Sequence, residues 1–313
     1  VKIPCNDPRA PSSVIRSLFA DDKSKVLVGT KNNEIYEIDD TPRLIVQGHC
    51  QGELWGMAVH PQGLKVATGS DDGSVRVWSV EERRQLVMRV LVAKPVEIPS
   101  TSSNTGSIRS IAFSPKGDMI AAGLITGTVY ILREDTLDEL HVLEDRREWV
   151  SDLKWSPNGD YLAVGTHDSF VDIYASDRGY KRVGTCMGHS SFITHIDWSL
   201  DGTRLVSNSG DYEDVEWASR TRVLSWHSLG VWHRGSDGSD VNAVDCKPGE
   251  SKCLATGDDR GIVSLFRYPA LGGRPRLYGG HSSHITNVRF SPSGSKLFSA
   301  GGADACFCLW NVV

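Results

Sequence analysis

The sequence lacks several features that would point to a membrane, secreted or nucleic-acid-binding protein. Its 313 residues contain no apolar run near the roughly 18 to 20 residues of a membrane span, and Val1–Pro4 lacks the apolar core of a signal peptide. The seven cysteines are scattered and odd in number, unlike a disulfide framework. Because 34 basic residues face 39 acidic ones, the positive surface of a nucleic-acid binder is also missing. We expect a soluble cytoplasmic protein with neither membrane nor nucleic acid as partner.

The common signatures of catalytic and cofactor sites are missing too. There is no phosphate-binding G-x-x-x-x-G-K-[ST] motif and no H-E-x-x-H motif. Cys306 and Cys308 are too close for the usual zinc spacing, so we interpret them as core cysteines. The acidic pairs at 71–72 and 258–259 lie in predicted turns, where Asp is common without catalysis. The sequence therefore predicts no enzyme activity, no metal and no cofactor.

One pattern of strands and turns recurs seven times along the chain. Each copy has a short alternating strand, a Pro/Gly turn, a second strand, an Asp/Gly turn and a third strand that ends in an aromatic residue. A period of about 40 to 54 residues is close to that of four-stranded propeller blades. We predict an all-β, seven-bladed WD-repeat β-propeller formed by residues 1–313 as a single domain. The blades begin near Val14, Leu54, Ile108, Val150, Ile193, Val241 and Ile285.

Glycine-histidine pairs precede three of these repeats, and an Asp follows each pair 22 or 23 residues later. The arrangement resembles the WD-repeat family, in which His, Asp, a second-strand Ser or Thr and a third-strand Trp form a buried hydrogen-bond relay. A His, Asp and Ser set also fits a hydrolase, but a catalytic triad occurs once, whereas this set recurs with the blade period. The relay residues implied by the resemblance are His49, Asp72, Thr68 and Trp78; His281, Asp304, Ser299 and Trp310; and His189 with Asp211.

Five longer phrases are more specific than generic WD repeats. They lie at residues 47–61, 188–199, 207–213, 230–238 and 280–290, and together they resemble the echinoderm microtubule-associated protein-like family. The resemblance implies two joined propellers, of which this chain is similar to the second, and an association with the soluble tubulin dimer. Since the sequence begins without Met, we expect it to be a fragment of a longer protein, and the resemblance implies that an N-terminal propeller precedes it there. The implied location is the cytoplasmic cytoskeleton, on ordinary microtubules or in a cilium.

Two places in the chain depart from a regular ring of repeats. After Glu213 the third strand of the fifth repeat is missing and Asp214 follows directly, so we hypothesise that residues are absent from the chain between them. The last repeat has no room for a fourth strand, and Val1–Pro4 could supply it by joining the first and last blades.

A partner-binding surface is predicted at the residue just before each first-strand apolar anchor. These residues are Ser13, Glu53, Ser107, Trp149, Phe192, Asp240 and His284. Trp149 and Phe192 belong to adjacent blades, with Arg146, Arg147 and Glu148 beside them, a composition typical of interaction hot spots. Trp149 could instead pack between blades. We predict a non-catalytic module that binds tubulin or microtubules; a scaffold for another protein and a propeller hydrolase are the alternatives.

Overall fold

The structure is a computed structural model, and more than half of the residues that it describes lie in β-strands. It divides into two compact units, Val1–Gly52 and Glu53–Val313, which are treated separately. The described residues contain no α-helix, only short 3-10 helices at Ser176–Arg178 and Trp226–Val231, and none is long and apolar enough to cross a membrane. The described residues are 15–20, 26–30, 33–39, 42–49, 52–91, 106–210, 226–232, 239–249 and 253–312.

The first unit is one antiparallel sheet whose strands are paired in chain order. Val28 and Tyr36 face each other on the two central strands, and both are almost fully buried. The Gly48 amide donates to the Asn33 carbonyl at 3.0 Å, beyond the paired edge of the last two strands. The strands are β1 Ile15–Ala20, β2 Val26–Thr30, β3 Glu34–Ile38 and β4 Pro42–Gln47.

The second unit contains six antiparallel sheets within the described residues. The first three sheets are β5 Leu54–Val59, β6 Lys65–Ser70, β7 Ser74–Ser79 and β8 Arg84–Val90; β9 Ile108–Phe113, β10 Met119–Leu124, β11 Val129–Arg133 and β12 Glu139–Leu143; and β13 Val150–Trp155, β14 Tyr161–Thr166, β15 Val171–Ala175 and β16 Lys181–Cys186. The others are β17 Ile193–Trp198 and β18 Leu205–Ser209; β19 Val241–Cys246, β20 Cys253–Asp258, β21 Ile262–Arg267 and β22 Arg276–Gly279; and β23 Ile285–Phe290, β24 Lys296–Gly301 and β25 Phe307–Asn311.

Neighbouring sheets of the second unit pack through their first strands. Strand β5 contacts β9, β9 contacts β13, β13 contacts β17, β19 contacts β23, and β23 contacts β5. At this last junction the Leu54 amide donates to the Gly302 carbonyl at 3.1 Å, and the Thr286 hydroxyl donates to the Leu54 carbonyl at 2.6 Å. The last sheet of the unit therefore packs directly against its first.

The observed sheets confirm the predicted all-β propeller fold. All seven first strands in the described chain start within one residue of the predicted positions. That residues 1–313 form a single ring remains a prediction. The proposed closing strand Val1–Pro4 and the proposed break between Glu213 and Asp214 both lie outside the described residues.

A glycine in the second strand of a blade makes room for the anchor of the next blade. A Cβ added at Gly123 would lie 2.4 Å from the Val150 side chain, and one at Gly165 would lie 2.7 Å from Ile193. Both anchors are fully buried, so contact this close leaves no space for a methyl group. Gly69 and Gly257 receive Ile108 and Ile285 in the same way.

Candidate protein-binding site

The predicted relay is complete in the last blade. His281 Nδ1 donates to Asp304 Oδ2 at 3.1 Å, and its Nε2 lies 2.8 Å from Ser299 Oγ. Trp310 Nε1 donates to the same hydroxyl oxygen at 2.8 Å. Because a carboxylate only accepts, the proton sits on Nδ1 and Nε2 accepts from the serine. The Ser299 and His281 side chains are fully buried, which leaves the serine no access to a substrate.

Parts of the relay recur in other blades. Trp78 Nε1 donates to Thr68 Oγ1 at 2.7 Å, and His189 Nε2 lies 2.8 Å from Ser207 Oγ. Asp72, which follows Thr68, is buried and accepts from the Ser74 hydroxyl at 2.6 Å. Of the other predicted members, His49 is a buried residue of the first unit, and Asp211 lies outside the described residues.

In the fourth blade an arginine takes the place of the histidine. Arg146 Nε and Nη2 donate to the two carboxylate oxygens of buried Asp172 at 2.7 and 2.9 Å, and Nη1 reaches Asp168 at 3.1 Å. Its hydrogen bonds to Asp172 raise its pKa far above the usual value, although burial opposes this. A bidentate pair fixes the guanidinium geometry. Arg146, predicted to contact a partner, is therefore held inside its own blade.

Six of the predicted ring positions occupy equivalent sites in the second unit. In each sheet the carbonyl of the residue before the anchor accepts a backbone hydrogen bond from a residue just beyond the second strand. All six therefore lie at the end of the sheets where the first strands begin. These carbonyls belong to Glu53, Ser107, Trp149, Phe192, Asp240 and His284, whereas Ser13 lies outside the described residues.

Planar side chains form a continuous row at this end, which we call the aromatic arc: Trp55, Arg109, Trp149, His167 and Phe192. The Arg109 guanidinium carbon lies 4.3 Å from the centre of the Trp55 ring and 4.8 Å from that of Trp149. The His167 ring lies 4.9 Å from Trp149 and 4.9 Å from Phe192. The arc therefore joins four consecutive sheets.

A carboxylate holds the arginine of the arc in place. Asp71 Oδ1 lies 3.4 Å from Arg109 Nη2, while its Oδ2 accepts from the Glu53 amide at 3.1 Å and from Trp55 Nε1 at 3.4 Å. Burial lowers the pKa of Arg109, and the charges of Asp71 and Glu53 oppose that shift. His284 extends the same surface, with Nε2 at 3.6 Å from Glu53 Oε2.

The arc is more exposed at one end, formed by Trp149, His167 and Phe192, which we call its exposed end. Arg109 is mostly covered, whereas Trp149 is 39% exposed and Phe192 is 42% exposed. Arg147 and Glu148 beside Trp149 are exposed as well. The structure thus brings Glu53, Trp149, Phe192 and His284 to one surface; that this surface binds a partner stays a prediction.

Three members of the arc are missing from the sequence-based prediction. Trp55 and Arg109 each follow directly after a first-strand anchor, one position beyond the residues chosen for the ring. His167 donates its amide to the Trp149 carbonyl at 2.9 Å, at the position that Asp71 occupies opposite Glu53. A search of these two positions in every repeat would have found all three.

The first strands of the second unit also line an open cavity of about 640 Å³. Asp152 on its wall accepts from the Ile196 amide at 2.9 Å and pairs with His195 Nδ1 at 2.9 Å. Burial raises the pKa of Asp152, but the charges of His195 and Lys154 and these hydrogen bonds outweigh burial and hold it well below its usual range. Asp152 therefore ties β13 to β17. No group of three potential metal ligands occurs in the described part of the chain.

The fold and the buried relay define a WD-repeat β-propeller, and comparison with known proteins identifies the family. Residues 54–215 and 213–312 match the family described as echinoderm microtubule-associated protein second β-propeller. The chain belongs to this family, as the five phrases of the sequence indicate. The two matched segments meet at residues 213–215, where the sequence predicts a lost strand.

Similar proteins carry the same family name. Human echinoderm microtubule-associated protein-like 1 is 40% identical over 96% of this chain, which covers 38% of that protein. Human echinoderm microtubule-associated protein-like 2 is 38% identical over 96% of this chain and 48% of its own length. The 77 kDa echinoderm microtubule-associated protein of Lytechinus variegatus is 38% identical over 96% of the chain, which covers 47% of it. The chain thus spans less than half of each of these relatives.

Proposed function

We propose that this propeller is a non-catalytic module that binds tubulin or microtubules through the exposed end of the aromatic arc. The proposal is carried by two half-exposed aromatic residues of adjacent sheets, Trp149 and Phe192, which both contact the ring of His167. The chain that carries them belongs to a microtubule-associated protein family. Exposed aromatic residues grouped with charged neighbours are typical of interaction hot spots. The proposed function implies a location on ordinary cytoplasmic microtubules or in a cilium.

The burial of the relay supports a binding role over a hydrolytic one. A serine nucleophile must reach the substrate carbonyl. Ser299 instead accepts a hydrogen bond from Trp310 inside the blade and has no exposed surface. We therefore assign His281, Asp304 and Ser299 a structural role.

Charge does not favour attraction over long distances. The chain carries a formal charge of −5, and tubulin is itself acidic. Binding would therefore depend on local shape and aromatic contact, because electrostatic steering requires opposite charge on the partners. A scaffold for a protein other than tubulin is the second candidate function, since the arc would serve any partner of suitable shape.

Retention of purified tubulin on the immobilised chain tests the proposal. We expect Trp149→Ala and Phe192→Ala to weaken tubulin binding about tenfold each, which corresponds to about 1.4 kcal/mol and is usual for a hot-spot residue. The matched control is Leu200→Ala: Leu200 is 88% exposed in the turn after β17, at the opposite end of the sheet that Phe192 precedes. Equal binding by the wild type and both arc variants would contradict the proposed surface. Failure of the wild type to retain tubulin would favour the scaffold.

A further inference from the structure

The aromatic arc already contains one arginine bound between aromatic rings. Arg109 lies between the indoles of Trp55 and Trp149, and Asp71 forms an ion pair with it, with Oδ1 at 3.4 Å from Nη2. A planar guanidinium stacks on aromatic faces while its edge donates to a carboxylate. The contacts of Arg109 thus show how this surface can bind a cation: between aromatic rings and beside a carboxylate.

The exposed end of the arc repeats the aromatic part of that arrangement. Trp149, His167 and Phe192 follow one another at 4.9 Å, and the His167 and Phe192 rings are inclined by only 21°. Trp149 and Phe192 present about two fifths of their surface to solvent. A planar group arriving from a partner therefore meets aromatic surface from two adjacent sheets.

The second part of the arrangement around Arg109 is a carboxylate, and carboxylates also lie beside the exposed end of the arc. Glu148 is exposed next to Trp149 and acts on the charge state of His167. Burial lowers the pKa of His167, an effect that the charge of Glu148 opposes and that of Arg109 supports. Asp168 and Asp172 are paired with Arg146, and Asp71 is paired with Arg109. Arg147 is the exposed cation here, and Glu53 adds a further carboxylate near Trp55.

We propose that the exposed end of the arc binds an arginine side chain presented by the protein partner. The guanidinium packs against the exposed surface of the row formed by Trp149, His167 and Phe192, and the Glu148 carboxylate accepts its hydrogen bonds. Arginine fits better than lysine because a planar, weakly hydrated group matches a row of planar rings, whereas an ammonium is a compact, strongly hydrated charge. This inference rests on the proposed function, since it names the group on the partner that the same surface recognises.

Calorimetric titration of the whole chain with two peptides tests the inference. The probes are an eight-residue peptide of alternating glycine and arginine and its counterpart with lysine at every arginine position. We expect the wild type to bind the arginine peptide about threefold to fivefold more tightly, in keeping with stacking at an exposed site. Trp149→Ala should abolish this preference, and Trp149→Phe, which keeps a ring, should retain part of it.

Two further variants separate charge from stacking. Glu148→Gln should weaken both peptides by a similar factor, because it removes a carboxylate without removing a ring. Leu200→Ala should bind both peptides as the wild type does. Equal affinity of the wild type for the two peptides would overturn the inference, as would a preference that survives Trp149→Ala. If the preference is absent but Trp149→Ala still weakens tubulin retention, the proposed function stands and the arginine site falls. A Trp149-dependent preference without tubulin retention would support the arginine site and contradict tubulin as the partner.

Discussion

In the relay of the last blade, one serine hydroxyl is the hydrogen-bond partner of two ring nitrogens. Ser299 donates to His281 and accepts from Trp310, so its removal leaves both rings without this partner. A buried polar group left unpaired costs about 1–3 kcal/mol. Since the hydroxyl has no exposed surface, water does not replace it. The relay therefore stabilises the blade by avoiding unpaired groups.

We predict that Ser299→Ala lowers the free energy of unfolding by about 2 kcal/mol or more, because two ring nitrogens lose their partner. Urea denaturation followed by far-ultraviolet circular dichroism measures the change. Ser293→Ala is the matched control, as Ser293 lies in the exposed turn that precedes the same strand. Equal losses for the two variants would show that the relay contributes no specific stability.

At this scale the sequence predicted contacts that recur with the repeat better than a contact that replaces the recurring one in a single blade. The members of the last relay recur at fixed spacing, and the structure brings His281, Asp304, Ser299 and Trp310 together. The sequence predicts Arg146 at the surface because it lies beside Trp149, whereas the structure pairs it with Asp172, 26 residues further along the chain. Nothing in the local pattern around Arg146 indicates that carboxylate.

Neighbouring sheets of the second unit pack through second-strand glycines as well as through large apolar anchors. The anchor that begins each first strand was predicted from alternation, and the turns with Pro and Gly fixed its phase. The packing role of the second-strand glycines is not predicted from the sequence. Their packing role depends on a side chain in the following repeat, as for Gly123 and Val150, so it emerges only when the sheets pack.

We predict that Gly123→Ala lowers the free energy of unfolding by about 1–3 kcal/mol, because the added methyl overpacks the site against Val150. The control is Gly184→Ala in β16, where the nearest atom lies 4.0 Å from the added Cβ. That change should be neutral or stabilising by about 0.5–1 kcal/mol, since alanine restricts the unfolded chain. Neither glycine has a positive φ, so backbone strain does not complicate the comparison.

A second substitution at the same contact checks the cause. The double variant Gly123→Ala with Val150→Ala should lose less stability than the sum of the two single losses, because one methyl then fills space vacated by the other. Strict additivity would show that the glycine acts through something other than the Val150 anchor.

A buried apolar cluster joins the first and last sheets of the second unit. Strand β23 packs on β5, and Leu54, Met57, Val66, Phe298 and Ala300 form one buried cluster from the first and last sheets of the unit. The family match likewise begins at residue 54 and ends at residue 312. This packing is not predicted from the sequence, because similar repeats do not indicate which two sheets pack against each other.

We predict that a fragment of residues 53–313 unfolds in a single cooperative transition, because its last sheet already packs on its first. Differential scanning calorimetry measures the transition. A fragment of residues 108–313, which lacks the sheet of β5–β8, is the control and should lose cooperativity. Loss of cooperativity in the longer fragment as well would favour a single ring that requires the first 52 residues.

The junction between the last and first sheets of the second unit has a composition of its own. At the fifth position of the second strand, four sheets have glycine facing a β-branched anchor, whereas β24 has Ala300 in a cluster with the γ-branched Leu54. Leucine branches one carbon further from its backbone, so it tolerates the alanine methyl where isoleucine or valine would collide. The pairs are therefore not interchangeable. The shapes of these pairs favour packing of β5 against β24 and disfavour ring closure between other sheets.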